Sequence, residues 1–107
     1  DYPILTGMER NDWEKRPDWV QRMAKEAIAI LKAIIKTSVL ELKEISELIL
    51  NDDGYLLRTI NNDLVVRIGF GDYIEKFKRL SKVQNAEMFM NPRHVDLRYG
   101  SQVVVTN

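Results

Sequence analysis

The chain has 107 residues, 45% hydrophobic and 30% charged, with sixteen Lys/Arg against sixteen Asp/Glu and no cysteine. That is enough for one domain with one modest core. It excludes disulfides, thiolate catalysis and Cys-based zinc sites, and the neutral total argues against a dedicated nucleic-acid binder.

The opening "DYPILTGMERNDWEKRPDW" carries Pro3 and Gly7 and predicts an extended segment and a turn. Pro17 suits the first turn of a helix, where its missing N–H costs nothing. From there Val20, Met23, Ala24, Ala27, Ile28, Leu31, Ile34 and Ile35 recur at three- and four-residue spacing, with Lys, Glu, Gln and Arg between them. The pattern predicts an amphipathic helix with this stripe facing the core.

After Thr37 the period changes. Three short apolar runs end at Asn51-Asp52-Asp53-Gly54, at Asn61-Asn62-Asp63 and at Gly69/Gly71. Closely spaced runs divided by turn residues read as an antiparallel meander. Leu56-Leu57 and Val65-Val66 put apolar groups on both faces, so part of this sheet is expected to be covered on both sides. Asp72 begins a second helix, with Glu75 three residues on as an approximate capping box. Ile74, Phe77, Leu80 and Val83 mark its buried side, and Lys76, Lys78, Arg79 and Lys82 its solvated one.

A final hairpin follows, "VDLRYGSQVVVTN", with Gly100-Ser101 as a type II′ turn. That turn pairs Tyr99 with Gln102, Arg98 with Val103 and Leu97 with Val104. The whole reads as α+β: two helices packed on a largely antiparallel sheet of about five strands, built as meander, helix and C-terminal hairpin.

Little in the chain suggests catalysis. His94 is the single histidine, and sequence supplies it no partners. "GFGD" has the strand-to-helix context of a phosphate loop. It lacks a third glycine, and Asp72 puts negative charge where a phosphate must sit. A tight strand-to-helix turn explains it as well. Residues 1–63 hold nine Lys/Arg against twelve Asp/Glu and residues 64–107 seven against four. This is either scatter over a solvated surface or a mildly basic C-terminal half suited to an acidic partner. Apolar runs fall well short of the roughly 20 residues needed to span a bilayer, and no signal peptide is legible. The start at Asp1 fits a domain excised from a longer protein.

Taken together, "TINNDLVVRIGFGDYIEKFKRL" and "HVDLRYGSQVVV", with "YPILTG" near the start, resemble the C-terminal β domain of the bacterial cell-division family FtsQ/DivIB. The likeness follows the order of nearly the full chain. The resemblance implies a single extracytoplasmic domain over residues 1–107. Its members also carry a POTRA domain and a single-pass inner-membrane anchor. It implies no catalysis and no cofactor. It further implies a complex with the small membrane proteins FtsB and FtsL that helps recruit and regulate septal peptidoglycan synthesis.

In the family a short FtsB segment adds a strand beside the last strand of the domain. On this sequence that implies a partner site at Arg98, Tyr99, Ser101, Gln102, Val103, Val104 and Val105. Two departures stand out. No tryptophan follows the terminal strand, and Gly54 stands where some members carry an arginine that meets the FtsB helix. Arg58, Lys76 and Arg79 are the candidate replacements for that second contact. The residues alone leave three alternatives open: Val103–Val105 as a central core strand, a generic α+β adaptor or small-ligand domain, and an RNA-binding module with Phe70 and Tyr73 on the sheet.

Overall fold

The computed structural model describes residues 4–60, 64–86, 93–98 and 103–106. In chain order they form β1 (Ile4–Thr6), α1 (Arg10–Lys15), α2 (Pro17–Thr37), β2 (Ile45–Asn51), β3 (Gly54–Thr59), β4 (Leu64–Gly69), α3 (Tyr73–Ala86), β5 (Arg93–Asp96) and β6 (Val104–Thr106), with a 3₁₀ turn at Leu42–Glu44 before β2. The six strands make one sheet in sequence order, β1-β2-β3-β4-β5-β6. The α+β reading holds, with helices packed on a sheet. The sheet gains β1, which pairs with β2 in parallel, and β4 with β5 is also parallel; the other three pairings are antiparallel. The short helix α1 joins the two expected.

This topology dictates where the helices go. Strands β1, β2, β4 and β5 all run the same way, because β3 reverses the chain once and β4 reverses it again. The crossovers β1-α2-β2 and β4-α3-β5 step across the sheet in the same sense. Right-handed crossovers then put both helices on one face, side by side and parallel. One row of side chains, a residue from each strand, faces them: Leu5, Leu48, Leu57, Val66, Val95 and Val105 are register partners in succession. Leu48, Leu57, Val66 and Val95 are buried and join Ile30 and Ile34 of α2 and Phe77 and Leu80 of α3 in one core cluster. Two hydroxyls fasten α2: Tyr55 Oη donates to the Met23 carbonyl at 2.8 Å, and Tyr73 Oη to Glu26 Oε1 at 2.7 Å.

Pro17 occupies the first turn of α2, and Ser38, at φ 55°, closes the helix by donating its N–H to the carbonyls of Ile34 and Ile35. The expected stripe on α2 is rotated. Val20, Ala27, Ile30, Ala33 and Ile34 are buried, whereas Ile28 and Ile35 are 52% and 59% exposed. Apolar residues surround more of this helix than the roughly 100° arc a sheet can cover, so part of the stripe is left outside. On α3, Phe77 and Leu80 are fully buried as expected. Asp72 lies at φ 53° and not in the extended region usual for a capping residue; its carbonyl accepts the Lys76 N–H at 2.9 Å.

The far face of the sheet carries the alternate row Thr6, Ile49, Leu56, Arg67, Asp96 and Val104. Leu57 and Val66 are buried under the helices, while Leu56 and Val65, on the opposite face, are half-buried. Arg67 and His94 are exposed there. The expected covering of both faces is thus confined to the helix side among the described residues.

Candidate functional site

The last strand, β6, is the outermost strand of the sheet. It pairs antiparallel with β5 through His94–Thr106, Val95–Val105 and Asp96–Val104. No other strand among the described residues lies against its outer flank. Consecutive side chains divide between the two faces. Val105 is half-buried and Val103 packs with it against the helix-side core. Val104 points to the far face and is 42% exposed. Among the described residues the segment is thus an edge strand and not a central one.

The hairpin register differs by one residue from the II′ expectation, which set Leu97 opposite Val104. Asp96 stands there instead. Where β5 ends, Asp96 Oδ1 accepts the Arg98 N–H at 2.9 Å. Leu97 still donates its N–H to the Arg67 carbonyl at 2.9 Å, so the chain stays on β4 as it leaves the ladder with β6. Tyr99, Gly100, Ser101 and Gln102, with the turn and the Tyr99–Gln102 pair, lie outside the described residues.

Arg98 is half-buried and held by two carboxylates. Its guanidinium grips Asp96 in a fork, Nε to Oδ1 at 3.0 Å and Nη2 to Oδ2 at 2.7 Å, and Nη1 reaches Asp53 Oδ2 at 3.3 Å. Its side chain is 21% exposed. The fork holds the Asp96 carboxyl below the usual aspartate range, against the opposing effect of burial. Arg98 thus ties the exit of β5 to the β2–β3 turn. Glycine makes that approach possible: a Cβ on Gly69 would stand 3.1 Å from Arg98 Cγ.

The candidates for a second contact separate. Lys76 is not on the solvated side of α3. It is buried at 6% exposure, and its Nζ donates to the carbonyls of Ile68 at 2.7 Å and Phe70 at 3.1 Å. Burial lowers its pKa, with nearby Asp72 opposing. The ammonium tethers the "GFGD" turn to α3 and has no surface to offer a partner. Arg58 lies on the far face and pairs with Glu47 at 3.3 Å. Arg79 is half-buried, with a buried Nε that no hydrogen bond satisfies among the described residues. Gly54 follows the two-residue turn Asp52-Asp53 and pairs with Asn51 at the head of β3.

The groove beside β6 on the far face is not among the sequence-based candidates. Arg67, His94, Val95, Asp96 and Val104 line it, with a volume of about 200 Å³. It holds an exposed arginine and histidine next to an open strand, a setting for polar side chains of an added segment. The two-residue alternation in "LVVRI" and "HVD" puts Arg67, His94 and Asp96 on one face and was the signal that could have found it.

Among known proteins, the family model described as "Cell division protein FtsQ/DivIB, C-terminal" matches residues 1–98, which stops short of β6. A Geobacter protein named cell division protein FtsQ is 27% identical over 111 residues, covering 98% of this chain and 39% of the relative. A protein of the same name from Geotalea daltonii is 28% identical over 109 residues, with the same coverage of each. The chain therefore spans 39% of the length of these curated relatives.

Proposed function

The chain belongs to the FtsQ/DivIB C-terminal family of cell-division proteins, and from that premise we propose that it is a non-catalytic interaction domain of the divisome that takes up a partner strand along β6. A role in the divisome, alongside protein partners, follows from the membership. The partner proposed is FtsB, in complex with FtsL. The place proposed is the extracytoplasmic side of the inner membrane, on a single-pass anchor elsewhere in the full protein. Among the described residues no helix is long and apolar enough to cross a membrane.

The observation that carries this reading is the outermost position of β6. An extended peptide added there gains main-chain hydrogen bonds, while alternate side chains supply specificity. The flanking surface suits such a peptide, with apolar Val103 and Val105 on the helix side and Arg67, His94 and Asp96 on the other. Arg98 serves as a positioning residue that fixes where β5 ends, and so where β6 begins to pair. Tyr99, Ser101 and Gln102 complete the proposed site on the strength of the resemblance. Arg58 is the remaining far-face candidate for a second contact, with Arg79 on α3 as the other.

Consecutive N–H groups of an antiparallel strand point to opposite edges. One of Val104 and Val105 therefore spends its N–H on β5, and the other offers it outward. Titration with a peptide from the C-terminal part of the same organism's FtsB tests the reading against Val104→Pro and Val105→Pro. One variant is expected to keep its thermal transition and lose peptide binding; the other is expected to lose stability. Wild-type affinity in both variants, or no binding by the folded wild-type chain, rejects strand addition at this edge.

A further inference from the structure

The helix side of the molecule carries a second feature, unrelated to the β6 edge. Helices α2 and α3 lie parallel, and the groove between their C-terminal halves has a volume of about 420 Å³. Lys36 and Thr37 of α2 and Lys78, Ser81 and Lys82 of α3 line it, with no acidic residue among them. Lys32 borders the adjoining stretch, where Asp72 and Glu75 close the other end.

A solvated face accounts for the exposure of these cations but not for their clustering. Lys32 and Lys36 stand four residues apart on one helix, and Lys78 and Lys82 on the other, all exposed. Like charges at that spacing destabilise a helix, and the two helices set their pairs across one groove. Lys36 also complements the C-terminal end of the α2 dipole; the other three have no such role. Lys78 meets Glu75 at 3.6 Å, but both side chains are more than half exposed, where a pair contributes little. Lys32, Lys36 and Lys82 form no ion pair among the described residues. The Ser81 hydroxyl, half-buried in the groove, makes no hydrogen bond among them either, whereas Thr37 spends its own on the Ala33 carbonyl at 2.8 Å.

We propose that the α2–α3 groove binds a phosphate-bearing ligand, with Lys36, Lys78 and Lys82 supplying charge and Ser81 a hydroxyl donor. The groove is open to solvent, so a diphosphate or a phosphodiester with its headgroup fits the class as well as a single phosphate. Ammonium groups recognise phosphate as point charges and need no planar fork. Asp72 and Glu75 confine the anion to the C-terminal half of the groove.

Two probes separate the sources of that chemistry. Inorganic pyrophosphate is titrated into the chain by calorimetry at low and at physiological salt. Vesicles of phosphatidylglycerol or of phosphatidylcholine are floated with the chain. Pyrophosphate is expected to bind, more weakly as salt rises, and the Lys36→Gln/Lys82→Gln variant to bind about tenfold more weakly. Lys43→Gln, on the 3₁₀ turn, is expected to bind as wild type. Flotation with phosphatidylglycerol alone, reversed by pyrophosphate, assigns the site to a lipid headgroup; pyrophosphate binding without flotation assigns it to a soluble phosphate ester. The proposal is overturned if neither probe binds or if Lys43→Gln loses as much as the double variant. The double variant should stay close to wild type in stability, since the like-charge repulsion it removes offsets the dipole contact that Lys36 gives up.

Discussion

Gly54 and Gly69 touch backbone to backbone where β3 meets β4: a Cβ on Gly54 would stand 2.5 Å from the Gly69 carbonyl carbon. Gly54 sits at φ 110° and Gly69 at 72°. The contact brings the β2–β3 turn against the end of β4, where Arg98 can reach across to Asp53.

Gly54→Ala should therefore cost about 2–4 kcal/mol, from a left-handed φ and a clash with backbone that cannot step aside. Gly71 also has a positive φ, 79°, but open space around it, so Gly71→Ala should cost only about 1 kcal/mol. Urea unfolding of both variants checks the difference. Equal costs would show that the close approach contributes nothing.

Arg98→Ala should destabilise by about 1–2 kcal/mol, because the loss leaves the part-buried Asp96 carboxylate with only the backbone N–H of residue 98. Arg98→Lys should recover little, since an ammonium cannot reproduce the fork. The same pair sets an acid dependence. Asp96 titrates lower folded than unfolded, so the unfolded chain takes up the proton first as pH falls. The stabilisation is complete above about pH 4 and drains away below it. In thermal melts across that window, Arg98→Ala should lose less stability than wild type. Parallel acid loss in the two chains would refute the coupling.

Lys76→Met keeps length and apolar stem but removes the donor to Ile68 and Phe70. It should cost about 1–2 kcal/mol, the two carbonyls left bare outweighing the relief of burying no charge. Hydrogen exchange should show faster amides at the "GFGD" turn and the start of α3. Unchanged stability and exchange would mean that the ammonium is not the tether.

Val105→Ala should cost about 1 kcal/mol and Val104→Ala under about 0.5, since the first faces the core and the second the far face. Chemical denaturation orders the two. A larger cost at Val104 would place the strand in the opposite orientation.

Tyr55 and Tyr73 should ionise late in a spectroscopic titration. Burial, with Glu26 nearby, pushes the Tyr55 phenol up to about 12. Burial and the hydrogen bond to Glu26 raise Tyr73 as well. Phenolate appearing from either residue near its free value would mean that α2 does not seal against the sheet.

Much of this fold is legible in the sequence because the signals are local. Pro17, the turn at Asn51–Gly54 and the glycines after β4 each act on their own neighbours, and the elements fall where they predict. What failed depended on distant partners. Eight apolar positions on α2 do not reveal which arc faces the sheet, so Ile28 and Ile35 were expected inside while Ile30 and Ala33 took their place. The opening reads as extended, as it is, but "ILT" is too short to say that it joins the sheet without β2 beside it. Three valines in a row cannot say whether their strand is central, because that depends on the order of the sheet. Arg98 reads as a free anchor until Asp96 and Asp53 are seen around it, and Lys76 as a solvated cation until its carbonyls are.

Because both crossovers turn the same way, the two sides of the sheet differ in chemistry right up to its rim. Any polypeptide that lengthens the sheet past β6 inherits this asymmetry. Every second side chain of the newcomer would sit beside Val103 and Val105 on the helix side, and the others beside exposed Val104, with His94 and Asp96 one strand further in. Sliding it one position along the rim would exchange its two faces, so an added strand would be held to one alignment.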